Sequence, residues 1–215
     1  MYVYKDPDGG FEKPRIHPFA AIRPGEVGCV DFKSDLSRIT VVLEDFVGLD
    51  HVPAIQTFYQ LLSWVNGPTS LIESCDCALR GPEPHEFPES ELPLSVHGRL
   101  MLLWRELNAN CDDRFNLLYN GVGRELSTID PTLAKSQAAV GLSGSRAIYK
   151  ELVSAKSLGA DGCIHLEPGD PGGGYQLLIH FKAFGHSSDE AFAHLDRIFR
   201  NIDIACHRRF ERLKA

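Results

Sequence analysis

The stretch "YQLLIHFKAFGHSSDEAFAHLDRIF", residues 175–199, contains two patterns that follow each other directly. Residues 175–184 are rich in apolar and aromatic side chains, which predicts a β-strand. Ser187 and Glu190 then have the spacing of a capping box, which marks the start of a helix. The stretch therefore predicts a strand that leads straight into a helix.

The predicted helix carries one apolar stripe to the end of the chain. Its members recur at helical spacing and are Phe192, Leu195, Phe199, Ile202, Cys206, Phe210 and Leu213. A single apolar stripe has to be buried against another layer of the protein. We therefore expect the long terminal helix to pack on a sheet.

A further strand is predicted just upstream, in residues 163–167, and residues 169–174, "GDPGGG", are typical of a turn. Together with residues 175–184 they predict a C-terminal β-hairpin. If Leu166 pairs with Ile179, His165 lies opposite His180, where two imidazoles could share a metal ion. Two exposed strand histidines without a metal are the commoner case.

In the first third of the chain, "RITVVLEDF", residues 38–46, is the clearest strand pattern because β-branched residues dominate it. We expect this strand to lie in the centre of the sheet. Two shorter strands are predicted at residues 17–22 and 28–32, separated by Pro24 and Gly25.

A helix is predicted from Asp50, the candidate N-cap, through Pro53 in the first turn to a stop at Gly67 and Pro68. Its apolar positions at helical spacing are Ile55, Phe58, Leu62 and Val65. Periodicity leaves helix and strand open for residues 96–107, with a slight preference for helix, and also for residues 113–126. In the latter, a helical stripe competes with the hairpin signal of Asn120 and Gly121.

Strand pairs interleaved with helices predict an α+β fold with a mainly antiparallel sheet and packed helices. The 215 residues can bury a substantial core, and we expect a single domain over residues 1–215. Residues 81–93, "GPEPHEFPESELP", are rich in proline and glutamate and predict an exposed loop.

The charge balance favours a protein partner over nucleic acid or a membrane. Acidic residues outnumber basic ones by 29 to 22, and the net charge of −7 repels phosphate backbones and anionic lipids. The chain has no run of about 18 apolar residues and no secretory signal at its start, which predicts a cytoplasmic location. A basic surface on the partner would complement the acidic chain.

Cys75 and Cys77 form the closest pair among the six cysteines. Residues two apart on a regular strand share a face, so we expect both thiols beside Leu71 and Leu79. A structural zinc site normally needs two such pairs, and the sequence offers one. We therefore predict structural thiols, with no metal and no cofactor.

Our first functional hypothesis is a non-catalytic protein-interaction module, such as a toxin-immunity or adaptor protein. The candidate partner-binding residues lie in the predicted loop, where Phe87 would be an apolar anchor among Glu83, Glu86, Glu89 and Glu91. The sequence leaves the oligomeric state open, and a homodimer is compatible with it.

The alternative is a small hydrolase or transferase that uses carboxylate and histidine chemistry around Asp45, His51 and Asp76. Arg80 and Arg99 would then hold an anionic substrate. In an enzyme these side chains should converge in one concave pocket, whereas in an interaction protein they should be dispersed.

Overall fold

The computed structural model of the chain describes residues 1–6, 15–17, 32–42, 46–85, 91–105, 112–149 and 173–214. In this part of the chain six strands form one sheet, and the class is α+β, as predicted. The strands are β1 (Tyr2–Asp6), β2 (Arg15–His17), β3 (Ile72–Pro84), β4 (Leu94–Trp104), β5 (Ala138–Tyr149) and β6 (Gly173–Gly185). The helices are α1 (Ile39–Val42), α2 (Pro53–Asn66), α3 (Asp112–Ile129) and α4 (Ser188–Lys214). None of these helices is long and apolar enough to span a membrane.

The strand order in the sheet is β1-β5-β6-β4-β3, and β2 lies beside β5 further along the same strand. The pairs β3/β4, β4/β6 and β5/β6 are antiparallel, while β1 and β2 run parallel to β5. The sheet is thus mainly antiparallel, as predicted. Because α4 follows the central strand β6 directly, it can lie along the middle of the sheet.

The helices α2, α3 and α4 pack on one face of the sheet, called here the helix-covered face. The ring of Phe58 in α2 lies 4.6 Å from that of Phe199 in α4, and the Phe199 ring lies 5.0 Å from that of Phe181 in β6. The predicted stripe of α4 is buried from Phe192 to Phe210. That prediction is confirmed, except for Leu213, whose side chain lies outside the described part.

The starts of α2 and α4 follow the sequence signals in part. Pro53 is the first residue of α2, but its N-cap is Val52, and the Asp50 carboxylate instead accepts a hydrogen bond from the Tyr59 hydroxyl at 2.9 Å. At α4, Ser187 Oγ accepts from the Glu190 N–H at 3.2 Å, as in a capping box. The Glu190 carboxylate accepts from the N–H of His186, one residue earlier than expected.

The central strand predicted for residues 38–46 is wrong for the described residues 38–42 and 46, while residues 43–45 lie outside the described part. A 3₁₀ turn over Leu36–Arg38 leads into α1, and the Asp35 carboxylate caps this turn by accepting from the Ser37 N–H at 3.1 Å. Ile39 is buried whereas Thr40 and Val41 are exposed, which is the burial of a short helix and not of a two-sided strand. Most of the shorter strands predicted before it lie outside the described residues.

The slight preference for helix over residues 96–107 is also wrong, because Leu94–Trp104 forms strand β4. Residues 113–126 lie within α3, which continues through Asn120 and Gly121, so the hairpin alternative fails there. At Gly121 the side chain of Arg209 from α4 occupies the space that a Cβ would need, which shows how closely the two helices approach.

The strand that leads into the terminal helix is confirmed as β6, but its partners differ from the predicted hairpin. Residues 163–167 lie outside the described part of the chain. Ile179 is paired with Leu142 of β5 on one side and with Leu100 of β4 on the other. A register that pairs Leu166 with Ile179 is therefore excluded, and with it the expected placement of His165 opposite His180.

The predicted loop over residues 81–93 is shorter than expected. Residues 81–84 belong to β3, and the His85 N–H donates a hydrogen bond to the Pro93 carbonyl at 2.8 Å, which closes the connection to β4. Residues 86–90 lie outside the described residues.

The sheet is curled at one end. In a flat sheet β5 and β3 would lie about 14 Å apart, because β6 and β4 lie between them and the three gaps measure about 4.8 Å each. The short strand β2 nevertheless pairs with the end of β5 and also contacts β3. The sheet therefore curves so that its two edges approach each other at the end where β5 finishes and β3 begins.

Candidate functional site

The face of the sheet opposite the helices, called here the outer face, is built by the alternation of side chains along β4 and β6. On β4, Val96 and Leu100 point to the helices, so His97 and Arg99 point outward. On β6, Phe181 and Ala183 point to the helices, so His180 and Lys182 point outward. The same pattern that builds the core thus brings polar side chains together on the outer face.

At the curled end the outer face is closed. Cys75, Met101, Leu103 and Leu178 form a small apolar cluster there and are almost completely buried. Glu73 is only 1% exposed, and its carboxylate lies 2.6 Å from Lys33 Nζ and 3.9 Å from Arg105 Nε. This end of the outer face is therefore held by apolar packing and by ion pairing of a buried carboxylate.

The two neighbouring cysteines lie on opposite faces, which contradicts the prediction that they share one. The pairing of β3 with β4 shifts between Ser74 and Asp76, and this bulge interrupts the alternation of the strand. Cys75 therefore packs in the outer cluster, whereas Cys77 packs against the helix-covered core. Within the described part of the chain, no group of three or more His, Cys, Asp or Glu side chains has a geometry that could hold a metal ion.

Asp76 and Arg99, two residues of the hydrolase or transferase hypothesis, meet on the outer face. Both Nε and Nη2 of Arg99 lie 3.0 Å from Asp76 Oδ2. Arg80, one further candidate, is exposed and lies across from His97 in the pairing of β3 with β4. The Asp76–Arg99 pair ties the two strands together across their outer side.

The remaining members of that hypothesis are not brought to this pair. His51 is exposed in the turn before α2, on the helix side, so the sheet separates it from Asp76. Asp45 lies outside the described residues. The structure thus brings Asp76 and Arg99 together and leaves His51 apart from them.

At the end opposite the curl the outer face forms an open groove of about 1110 Å³, called here the groove. Its lining is contributed by five strands, by the residue that follows β3 and by the turn before β5: Tyr2, Tyr4, Glu83, Pro84, His85, Ser95, His97, Gly98, Lys135, Ala139, His180, Phe181, Lys182 and Phe184. A concave site of this size, at the mouth of a curled sheet, is a common place for ligand binding.

The β1 wall of the groove is aromatic. Tyr2 and Tyr4 are 47% and 41% exposed, and their rings stack with centroids 5.6 Å apart. Lys135 Nζ lies 5.5 Å from the centroid of the Tyr2 ring. Tyr4 is paired with Gly141 of β5, and a Cβ atom on Gly141 would come within 2.4 Å of the Tyr4 ring. The glycine therefore lets this tyrosine lie flat on the sheet.

The centre of the groove is built around Phe184, which is buried. Lys182 Nζ lies 5.2 Å from the centroid of its ring, and the His85 ring lies 4.7 Å from it. A lysine ammonium above an aromatic face is held by the quadrupole of the ring. The groove thus has a lysine over an aromatic ring both at its β1 wall and at its centre.

The β3 wall carries the acidic side chain of the groove. Glu83 Oε1 lies 3.5 Å from His97 Nδ1, and both side chains are partly exposed. Of the partner-binding residues proposed from the sequence, Glu83 lines the groove and Glu91 is exposed nearby in the chain. Glu86, Phe87 and Glu89 lie outside the described residues.

A second, shallower concavity of about 610 Å³ lies beside α2 and is lined in part by Asp50, Gln56 and Tyr59. Burial raises the pKa of the Tyr59 hydroxyl, and its hydrogen bond to Asp50 raises that pKa further. This phenol therefore stays protonated at neutral pH, and its hydrogen bond joins the second turn of α2 to Asp50 in the turn that precedes the helix.

Most residues of the groove were not identified from the sequence. Tyr2, Tyr4, His97, Lys135 and Lys182 come from four separate parts of the chain. The available signal was the polar alternation in "SVHGRL", residues 95–100, and in "IHFKAF", residues 179–184. It becomes informative only after both segments are known to be neighbouring strands.

Comparisons of this chain with protein families, with characterised proteins and with solved structures found no match.

Proposed function

We propose that the protein is a non-catalytic interaction module that binds a segment of a partner protein in the groove. An adaptor or a toxin-immunity protein is a protein of this kind. The observation that carries the proposal is the groove itself, which is open, about 1110 Å³ in volume, and walled by exposed aromatic side chains. Exposed tyrosines beside polar groups are typical of protein-binding surfaces.

The arrangement of the candidate catalytic residues supports the same proposal. Asp76 is engaged by Arg99, and His51 lies on the other side of the sheet. Neither Asp76 nor His51 lines the groove. The hydrolase or transferase alternative stays a prediction, and of its residues the structure brings together Asp76 and Arg99.

The proposal can be tested by photo-crosslinking from two positions of matched exposure. A benzoylphenylalanine replaces Tyr2 at the groove in one variant and Leu117 on α3 in the other, since these side chains are 47% and 41% exposed. In native lysate we expect the Tyr2 position to crosslink a defined protein that the Leu117 position does not.

The crosslinked protein is then purified and titrated against the wild-type chain and against the double variant Tyr2→Ala/Tyr4→Ala. We expect the double variant to weaken binding by at least about tenfold, because aromatic residues dominate such interfaces. Equal crosslinking from both positions, or unchanged affinity of the double variant, contradicts a binding site in the groove.

A further inference from the structure

We propose that α3 and the last turns of α4 carry a second interaction surface, which binds a short acidic segment of a partner protein. The surface, called here the arginine surface, consists of Arg124 on α3 and of Arg208, Arg209 and Arg212 on α4. Both helices lie on the helix-covered face, so the sheet separates this surface from the groove. The two binding sites are therefore independent of each other.

Glu125 positions two of these arginines at the contact between α3 and α4. Its side chain is only 8% exposed, with Oε1 2.7 Å from Arg212 Nη1 and Oε2 3.9 Å from Arg208 Nη1. The side chains of Arg212 and Arg208 remain 62% and 50% exposed. One buried carboxylate thus faces two cations that are still open to solvent, and one positive charge is left over at this contact.

The other two arginines, Arg124 and Arg209, have no carboxylate within ion-pairing distance in the part of the chain that the structure describes. Arg124 is exposed, and the side chain of Arg209 extends along Gly121. The Nε of Arg209 is buried and has no hydrogen-bond partner among the described residues. Because Gly121, Arg124 and Glu125 are neighbours on the surface of α3, all four arginine side chains reach the same part of this helix.

The charge of the arginine surface is opposite to that of the chain as a whole. Four arginines face one described carboxylate, that of Glu125, whereas the whole chain has a net charge of −7. At physiological ionic strength exposed charges are screened over about 8 Å, so the local charge decides what binds at the surface. A negatively charged group is therefore attracted to the arginine surface although the protein is acidic.

The neighbouring acidic side chains do not cancel this charge. Asp113 of α3 lies about three helical turns, or about 16 Å, from the arginine of that helix. Asp203 Oδ1 lies 3.3 Å from His207 Nδ1, on the side of α4 that faces α2. The side chains of Glu211 and Lys214 are outside the described part, and their charges are opposite in sign. Within the described residues, the positive charge of the arginine surface is thus not balanced.

The arginine side chains and the small size of the surface indicate the chemistry of the partner. A guanidinium group donates two parallel hydrogen bonds to a carboxylate, so arginines favour carboxylates over neutral groups. Packed helices lie about 8–10 Å apart, and an extended segment of about three residues, at about 3.3 Å per residue, spans that distance. The net charge of −7 disfavours a long phosphate backbone. A short protein segment with two or three carboxylates fits the surface best.

The test uses the full chain and three hexapeptides that alternate glycine with glutamate, glutamine or lysine and carry an uncharged fluorescent label. Binding is followed by fluorescence anisotropy at neutral pH and low salt. We expect the glutamate peptide to bind most tightly and the lysine peptide least tightly. The advantage of the glutamate peptide should shrink as salt is raised, because exposed charges are screened. Tyr2→Ala at the groove should leave binding of the glutamate peptide unchanged.

The decisive variant is Arg124→Gln, because this side chain is exposed and its loss leaves no buried group unpaired. We expect it to weaken binding of the glutamate peptide by about two- to fivefold, as for an exposed ion pair. Arg209→Gln should have an effect of similar size. The matched control is Arg38→Gln, which removes one positive charge from an exposed position outside α3 and α4 and should leave binding unchanged. Urea denaturation checks that the fold of each variant is intact.

Equal affinity for the glutamate and glutamine peptides overturns the inference, and so do equal losses from Arg124→Gln and Arg38→Gln. A decathymidylate that displaces the glutamate peptide at a lower concentration than unlabelled peptide does also overturns it, because the surface would then select phosphate. These results are separable from failure of the proposed function. A groove partner whose affinity falls with Tyr2→Ala/Tyr4→Ala but not with Arg124→Gln supports that function even when the arginine surface binds no acidic segment.

Discussion

The two faces of the sheet are stabilised in different ways. The helix-covered face buries a continuous apolar core in which the rings of Phe58, Phe181 and Phe199 are in contact. The outer face has a small apolar cluster at its closed end and exposed tyrosines at its open end. Stability should therefore depend mainly on the first face and binding mainly on the second, because binding surfaces are drawn from the less tightly packed parts of a protein.

The largest effect is expected from Phe199→Ala on the helix-covered face. The ring is fully buried between α2 and the sheet, so its removal should lower the free energy of unfolding by about 3–5 kcal/mol. Urea denaturation of both proteins measures the difference. The control is Ile204→Ala in the same helix, where the side chain is 37% exposed and the expected change is at most about 0.5 kcal/mol. Similar losses in the two variants would show that α4 is not anchored by this stripe.

A smaller effect is expected from Met101→Ala at the closed end of the outer face. Met101 is fully buried, but among the described residues its apolar cluster has only four members, Cys75, Met101, Leu103 and Leu178. We expect a loss of about 2–3 kcal/mol, near the lower end of the range for such substitutions. If this loss equals or exceeds that of Phe199→Ala in the same denaturation assay, the outer face contributes as much stability as the core, and the contrast between the faces fails.

The third effect concerns Asp130, which follows α3 and binds Arg197 of α4. Burial alone would raise the pKa of the Asp130 carboxyl, but hydrogen bonds from Thr132 and Arg197 outweigh it and lower that pKa. A lowered pKa in the folded state gives stability that is present above the unfolded pKa of about 3.9 and is lost as pH falls through the folded value.

We therefore expect Asp130→Asn to lose about 1 kcal/mol of unfolding free energy at pH 7 and much less near pH 2.5. Denaturation of both proteins at the two pH values gives the comparison. If the difference in unfolding free energy between the two proteins does not depend on pH, the charge of the Asp130 carboxylate contributes nothing to stability.

The parts of the fold that the sequence predicted correctly are those with one long, unambiguous pattern. The stripe of α4, the Pro53 start of α2 and the strand before α4 all combine a clear periodicity with a start or stop signal. The segment of residues 38–46 has apolar residues on both sides and is short, so periodicity could not separate helix from strand. In β4, Met101 and Leu103 belong to the outer cluster, which made the strand apolar on both faces and similar to a helix.

The candidate site was less predictable because it depends on tertiary structure. The bulge at Cys75 has no residue signature, yet it moves one thiol to the other face of the sheet. The groove joins residues as distant in sequence as Tyr2 and Lys182, and its polar members become neighbours only through the order β1-β5-β6-β4. Glu83 was proposed as partner-binding for its place in an acidic loop, and the structure adds that its carboxylate lies beside His97 in the groove wall.

The smallest effect on stability is expected from Tyr2→Ala at the open end of the outer face. Nearly half of this side chain is exposed, and its contacts are the stacked ring of Tyr4 and the ammonium of Lys135. The free energy of unfolding should change by about 0.5 kcal/mol or less, as for most surface substitutions. The same variant should bind the partner identified by crosslinking several-fold more weakly, because the partner loses its contact with the outer ring of the aromatic wall. A loss of stability comparable to that of Met101→Ala, with unchanged binding of the crosslinked partner, would assign Tyr2 to the structure of the sheet edge and remove the β1 wall from the binding site.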